Sequence, residues 1–430
     1  MIEVVLLATF FVLLVIGLPV AFCIGLATLL TLLLSMSVEP AVLTMAQRMI
    51  SGLNSFALLA IPLFVLSGVI MGQGGIAKRL INFAKCMLGM VPGGLALVNV
   101  LSCTLFGSIS GSAVAAASAI GGFMIPEMEK EGYDRNFSAA VTATSATTGL
   151  LIPPSNILIV YAIASGGVSI GALFIGGYLP GILVALSLMV VCLINAKRLN
   201  LPKSGRVSLV EFGRAGLEAF PSLFLVVLVI GGIIGGVFTA TEAGAIAVIY
   251  ALLLSMVVYR EIAMSELKAI LLKSAETTAI VMLLIATSVG MSWLLSFHNI
   301  PSNVASGLLA LSDNPVVIFL IINLALLIVG SFMDMTPAVL IFTPIFLPVV
   351  AELGMSPLHF GIMMVLNLSI GLCTPPVGSV LFVSCAVAKT SIMGIVRPIM
   401  PLYVAMFIAL LLVTYVPWFS EFLPRFFGLM

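Results

Sequence analysis

The chain is 430 residues long, 62% hydrophobic and 8% charged, with a formal net charge of +1. Soluble domains carry roughly a quarter charged residues, so this composition excludes a soluble globular protein and describes a polytopic helical membrane protein. The near-neutral balance gives no footing for a nucleic-acid partner, and cysteines without a CxxC pair read as small core residues, with no disulfide framework and no metal site.

Apolar runs and their breaks predict helices over 2–17 and 20–37, separated at Gly17-Leu18-Pro19, then an amphipathic stretch over 40–56 and a helix over 57–75. The first run opens with Glu3 and lacks a basic flank, so it reads as a retained helix and not a signal peptide. Lys78, Arg79 and Lys85 mark a polar surface. Two short legs, 94–107 and 112–126, surround a Ser/Gly-rich tip, and a charged loop runs from Glu127 to Arg135. A helix over 136–165 is broken at Pro153-Pro154; another spans 169–196.

After a basic linker the order repeats. Helices are predicted over 220–237 and 239–259, an amphipathic stretch over 261–275 and a helix over 277–297. Two legs, 315–330 and 337–352, flank Gly330-Ser331-Phe332-Met333-Asp334. A second broken helix covers 358–388, with Pro375-Pro376 at its break, and a last helix covers 397–419. The two Pro-Pro pairs lie 222 residues apart, each 27 residues after a matching Pro126 or Pro348. The expected organisation is a first repeat, 1–196, a linker, 197–217, and a second repeat, 218–430.

A spanning helix needs about 20 residues. The shorter legs are therefore read as re-entrant hairpins, whose irregular tips must be buried in protein or face water. Each half then crosses five times, an odd number, which makes the halves an inverted repeat. The expected fold class is an all-α polytopic membrane protein, an inverted repeat with two re-entrant hairpins and two broken helices. With the linker in the cytoplasm, fifteen of the 17 Lys and Arg residues fall inside; Arg48 and Arg425 fall outside. Both termini then lie outside.

A helix broken at matching places in two halves is the best sequence pointer to a transporter's binding site. One Pro-Pro alone would be a packing kink; a matched pair beside matched hairpins is a site. The first tip offers Ser108, Ser110 and Ser112 between Gly107 and Gly111, and the first break offers Thr144, Ser145, Thr147, Thr148, Ser155 and Asn156. The second tip adds Asp334 and Thr336, the second break Thr374 and Pro376. Freed carbonyls and hydroxyls suit a hard cation, and half-helix N-termini suit an anion. An acidic residue at membrane depth, such as Asp334, is a functional hypothesis by default. Glu242, near a helix start, reads as a cap. His298 and His359 read as solvated residues near the outer surface. No lysine or arginine is expected at the midplane.

Several segments resemble the large membrane subunit of TRAP transporters: Leu59-Ala60-Ile61-Pro62-Leu63-Phe64, Ser108-Ile109-Ser110-Gly111-Ser112-Ala113, Ile152-Pro153-Pro154-Ser155, Gly236 to Gly244, and Met333-Asp334-Met335-Thr336-Pro337. The resemblance covers nearly the whole chain. It implies sodium-coupled uptake of an organic acid across a bacterial inner membrane, by an elevator mechanism. It implies two partners, a small membrane subunit and a periplasmic substrate-binding protein. No cofactor is implied; sodium ions are the coupling ions. Carried over, a first sodium site would use Ser108, Gly111, Ser112, Thr147, Thr148, Gly149 and Pro153. A second would use Asp334, Thr336, Gly371, Thr374 and Gly378, with substrate between them at Ser108, Ser110, Ser155, Asn156, Thr374 and Pro376. The runner-up reading is a sodium/carboxylate symporter of the same fold that needs no binding protein. An intramembrane hydrolase built on Ser110-Gly111 is the enzyme alternative, and it would need a histidine base nearby.

Overall fold

The structure is a computed structural model that describes residues 2–198, 208–312, 314–375 and 377–430. The expected linker therefore lies partly outside the described residues, as does Pro376. The first half comprises α1 (Ile2–Val15), α2 (Val20–Ser35), α3 (Val38–Leu53), α4 (Ala60–Gln73), α5 (Ile76–Leu88), α6 (Gly94–Ser110), α7 (Ala113–Lys130), α8 (Arg135–Ala146), α9 (Asn156–Ala164) and α10 (Ile170–Arg198). The second comprises α11 (Leu209–Ile234), α12 (Ala240–Leu252), α13 (Leu267–Phe297), α14 (Ile300–Leu311), α15 (Pro315–Phe332), α16 (Met335–Glu352), α17 (Pro357–Gly371), α18 (Ser379–Ala388), α19 (Ile392–Tyr415) and α20 (Trp418–Phe426). Among the described residues every regular element is helical, and eight helices are long and apolar enough to cross a membrane.

The halves follow one plan: two helices, an amphipathic segment that stands alone as α3 in the first half and runs into α13 in the second, a helix, a short connecting helix, a hairpin, a broken helix and a closing helix, with α20 added in the second half. Two groups of helices result. In one, α2, α3 and α4 pack on α13, and α4 also packs on α12. In the other, the hairpins α6–α7 and α15–α16 wrap the broken helices α8–α9 and α17–α18, with α10 and α19 behind them. The repeats interleave here, because α7 packs on α18 and α16 on α9.

Several boundaries depart from expectation. The stretch 261–275 is not a separate amphipathic brace: most of it joins α13, a 31-residue helix, because no proline interrupts Leu267–Phe297. Lys78 to Lys85 lie on an amphipathic helix, α5, with Ile76, Ala77, Leu80, Ile81 and Ala84 buried. The helices α14 and α20 had no counterpart in the sequence reading. The hairpin legs are 17 or 18 residues long, close to spanning length, so length does not make them re-entrant. Their tips do: each ends against the midpoint of a broken helix.

His359 is buried, not solvated: it is 2% exposed, and its Nε2 lies 2.7 Å from the Val413 carbonyl oxygen. His298 pairs with Ser35 Oγ at 3.1 Å. Glu242 closes a capping box, accepting from the Thr239 amide at 2.8 Å, while Thr239 Oγ1 accepts from the Glu242 amide at 3.3 Å.

Candidate functional site

The first hairpin turns at Gly111, whose φ of 63° is left-handed and favours glycine. A Cβ there would also meet Asn156 Nδ2 at 3.1 Å, so the tip sits directly against the first residue of α9. Ser112 caps α7 by accepting from the Ala115 amide at 3.3 Å. The second hairpin turns at Met333-Asp334. Asp334 stands at the N-cap of α16, and its side chain makes no capping bond.

Each hairpin meets its break through a pair of glycines. A Cβ on Gly149 would lie 2.5 Å from the Gly107 carbonyl carbon, and one on Gly371 would lie 2.5 Å from the Gly330 carbonyl carbon. The two contacts are equivalent under the repeat. Backbone touches backbone, so each hairpin is fixed to its broken helix with no room for a side chain. The Val377 amide adds a bond to the Ser331 carbonyl at 3.3 Å. Deeper in the bundle, Asn99 Nδ2 donates to Thr142 Oγ1 at 2.7 Å, and Asn367 Nδ2 donates to Asn323 Oδ1 at 2.7 Å. Each half thus bolts its first hairpin leg to the first segment of its broken helix.

A cavity of about 210 Å³ lies where these parts converge. Its wall includes Gly111, Ser112, Asn156, Asp334 and Thr336, with Ile61 and Val65 of α4 and Thr277 and Val281 of α13 opposite. Three helices present their first residues here: α7 through Ala113 and Val114, α9 through Asn156 and Ile157, α16 through Met335 and Thr336. Helix N-termini carry partial positive charge, each worth about 0.3–1 kcal/mol to a nearby anion. Asp334 is exposed, not packed away, and it lines this cavity. Asn156 Oδ1 is buried and has no partner. The helix ends suit an anion, and Asp334 beside them offers a carboxylate for a cation.

A second cavity of about 420 Å³ adjoins the first, sharing Val65, Ser112, Val114, Asn156 and Thr277. It also holds Ser110, Gln73 and Lys273. Lys273 was missed because the sequence reading placed it on a separate surface helix. Merging into α13 sets it one turn before Thr277, which lines both cavities. Among the described residues lining the cavity that holds Asp334 there is no lysine or arginine.

The remaining predicted residues lie behind the walls. Ser108 Oγ donates to the Leu105 carbonyl at 2.8 Å and Ser155 Oγ to the Leu150 carbonyl at 2.5 Å. Thr147 Oγ1 donates to the Thr144 carbonyl at 2.8 Å; Thr148 Oγ1 donates to the Ser145 carbonyl at 2.7 Å and lies 2.7 Å from Thr104 Oγ1. Thr374 Oγ1 donates to the Ile370 carbonyl at 2.7 Å. Gly149 and Gly371 face the hairpin glycines, Pro153 is buried, and a Cβ on Gly378 would lie 2.5 Å from the Leu372 carbonyl oxygen. The breaks also differ: the Cys373 carbonyl accepts from the Tyr403 hydroxyl, whereas the Leu151 carbonyl is met by Gly177, which has no side chain to donate. Neither histidine lines the two cavities, so Ser110 has no imidazole base beside it.

Two hairpins and two broken helices meeting at one cavity inside an apolar helical bundle define a membrane transporter. Residues 7–419 match the tripartite ATP-independent periplasmic transporter, DctM component, and the chain belongs to that family. It is 52% identical over 425 residues to the uncharacterised protein YgiK of Salmonella typhimurium, covering 99% of this chain and 98% of that one. It is 41% identical over 405 residues to the C4-dicarboxylate TRAP transporter large permease protein DctM of Pseudomonas aeruginosa, covering 94% of each. The fold is similar to that of the Alcanivorax borkumensis YdaH transporter, with a TM-score of 0.65 at 14% identity, over 86% of this chain and 87% of that one.

Proposed function

We propose that this chain carries an organic acid inward across a bacterial inner membrane, driven by sodium, after a periplasmic binding protein delivers the acid to it and a small membrane subunit. The observation that carries this reading is the convergence of three helix N-termini on one cavity that also holds Asp334. The N-termini favour a carboxylate; together the three ends contribute on the order of 1–3 kcal/mol. A relative named as a C4-dicarboxylate permease fits a carboxylate substrate, and the family's tripartite periplasmic description fits the two partners.

Sodium takes oxygen ligands, and the donors near both tips are all oxygens. Asp334, Thr336 and the carbonyls of the 371–378 turn would hold one ion. Gly111, Ser112 and the carbonyls of the 147–153 turn would hold another, with the hydroxyls of Ser108, Thr147 and Thr148 behind them. Both groups of helices contribute to the cavity wall, α4 and α13 from one and the hairpins and breaks from the other. That division supports an elevator, in which the hairpin group slides against the other and takes the site with it. The cavity opens toward Lys273 and Gln73, the side that the lysine and arginine distribution assigns to the cytoplasm. On this reading the structure is inward-facing, both termini are periplasmic, and Lys273 receives the acid on release.

The test is a pair of cysteines, one at Ile61 on α4 and one at Ala113 on α7, cross-linked with reagents of graded length in sodium-rich and sodium-free membranes. A sodium-dependent change in the productive length supports the elevator. The same length under both conditions refutes it.

A further inference from the structure

A third cavity lies away from the transport path. It is enclosed by α1 on one side and by α13, α15 and α16 on the other, and its volume is about 400 Å³. Every lining residue is apolar; Phe10 and Phe11 of α1, Met291 of α13, and Phe332, Met333 and Phe342 of the second hairpin define it. The principal packing partner of α1 is α2, so α1 stands off from the hairpin and leaves this gap.

The chemistry of the gap selects its occupant. Water would find no hydrogen-bond partner in it, and apolar cavities of ~150 Å³ already stay dry and take up hydrocarbon. A polar solute is excluded for the same reason. A helix about 10 Å across would fill 400 Å³ in roughly one turn, so a transmembrane helix of a partner does not fit. The cavity is continuous with a membrane-facing surface: Leu7, Phe11 and Val15 of α1 and Leu324, Ile328 and Phe332 of α15 are all exposed and apolar. We propose that this cavity is an acyl-chain site, filled by one tail of a membrane phospholipid that enters from the bilayer between α1 and α15. Such a tail rests on Phe332 and Met333, the two residues that precede Asp334. The lipid thereby packs behind the tip that presents the site's carboxylate, which makes bilayer composition an input to this hairpin.

The full chain is placed in nanodiscs of phosphatidylethanolamine and phosphatidylglycerol doped with a phosphatidylcholine carrying a diazirine on its acyl chain. After illumination, adducts are mapped by mass spectrometry. The site predicts adducts concentrated on α1 and on the 328–342 segment, at least tenfold above those on the rest of the lipid-facing surface at the same label fraction. Ile328→Trp and, separately, Leu7→Trp place an indole in the cavity from half-exposed positions; either should abolish these concentrated adducts. Leu320→Trp, exposed on the same helix two turns beyond Ile328 and outside the cavity, should leave them unchanged. Adducts spread evenly over the lipid-facing helices, or unchanged in whichever filled variant remains monodisperse, would overturn the proposal.

Discussion

The glycine contacts between hairpins and breaks make the sharpest demand on the sequence. In Gly149→Ala the new methyl would sit 2.5 Å from the Gly107 carbonyl carbon and 2.7 Å from the Ser108 amide nitrogen. Ordinary contact begins near 3.4 Å and the nearest atom, Gly107 Cα, lies at 2.4 Å, so the first hairpin must retreat by roughly 1 Å, and backbone cannot swing aside as a side chain does. Gly371→Ala makes the same demand of Gly330, again from 2.5 Å. Overpacking of this kind costs about 1–3 kcal/mol. Gly122→Ala is the control: nothing lies within 4 Å of its Cβ, and its helical backbone accepts alanine. Thermal unfolding in detergent, followed by intrinsic fluorescence, should show Gly149→Ala and Gly371→Ala melting several degrees below wild type, on the order of 2–4 °C per kcal/mol. Gly122→Ala should match or exceed wild type. Equal melting of all three variants would refute the claim that backbone contact locks the hairpins to the breaks.

Asn156→Ala should lower uptake at least tenfold, or about 1.4 kcal/mol, with little loss of melting temperature, because Asn156 Oδ1 gives up no hydrogen bond; uptake and unfolding measured together separate the two effects. Asp334→Asn should raise the sodium concentration for half-maximal uptake by about tenfold, read from a sodium titration at fixed substrate. Lys85 Nζ donates to Glu127 at 2.7 Å and holds that carboxyl below its ordinary 4.5. A lowered carboxyl contributes stability that is complete above the unfolded value and is lost as pH falls through the folded one. Lys85→Met should therefore flatten the melting curve against pH below about 4.5, by only a few tenths of a kcal/mol because both groups are partly exposed.

The site's scaffold was legible because its chemistry breaks rules. Proline in a membrane helix, glycine and serine between two apolar legs, and aspartate at membrane depth are costly unless they serve a site. What stayed hidden depended on tertiary contacts. His359 looked solvated because it lies near a helix start, but α19 carries the Val413 carbonyl to it. Lys273 looked peripheral because an amphipathic pattern does not reveal that a helix continues unbroken into its neighbour. The close packing of Gly149 and Gly371 against the hairpins stayed hidden too, since a glycine at a break frees carbonyls as readily as it admits a neighbouring backbone. The repeat offset held the missing signal: Gly107 pairs with Gly330, and Gly149 with Gly371, at nearly the same spacing as the Pro-Pro pairs.

Uptake into proteoliposomes tests the central claim most directly. The vesicles contain this chain with its small subunit, a sodium gradient is imposed, and a binding protein loaded with a radiolabelled organic acid is supplied outside. Accumulation that requires both the inward sodium gradient and the binding protein is the predicted result. Accumulation of the free acid with no binding protein present, or undiminished when sodium is replaced by choline, would contradict it.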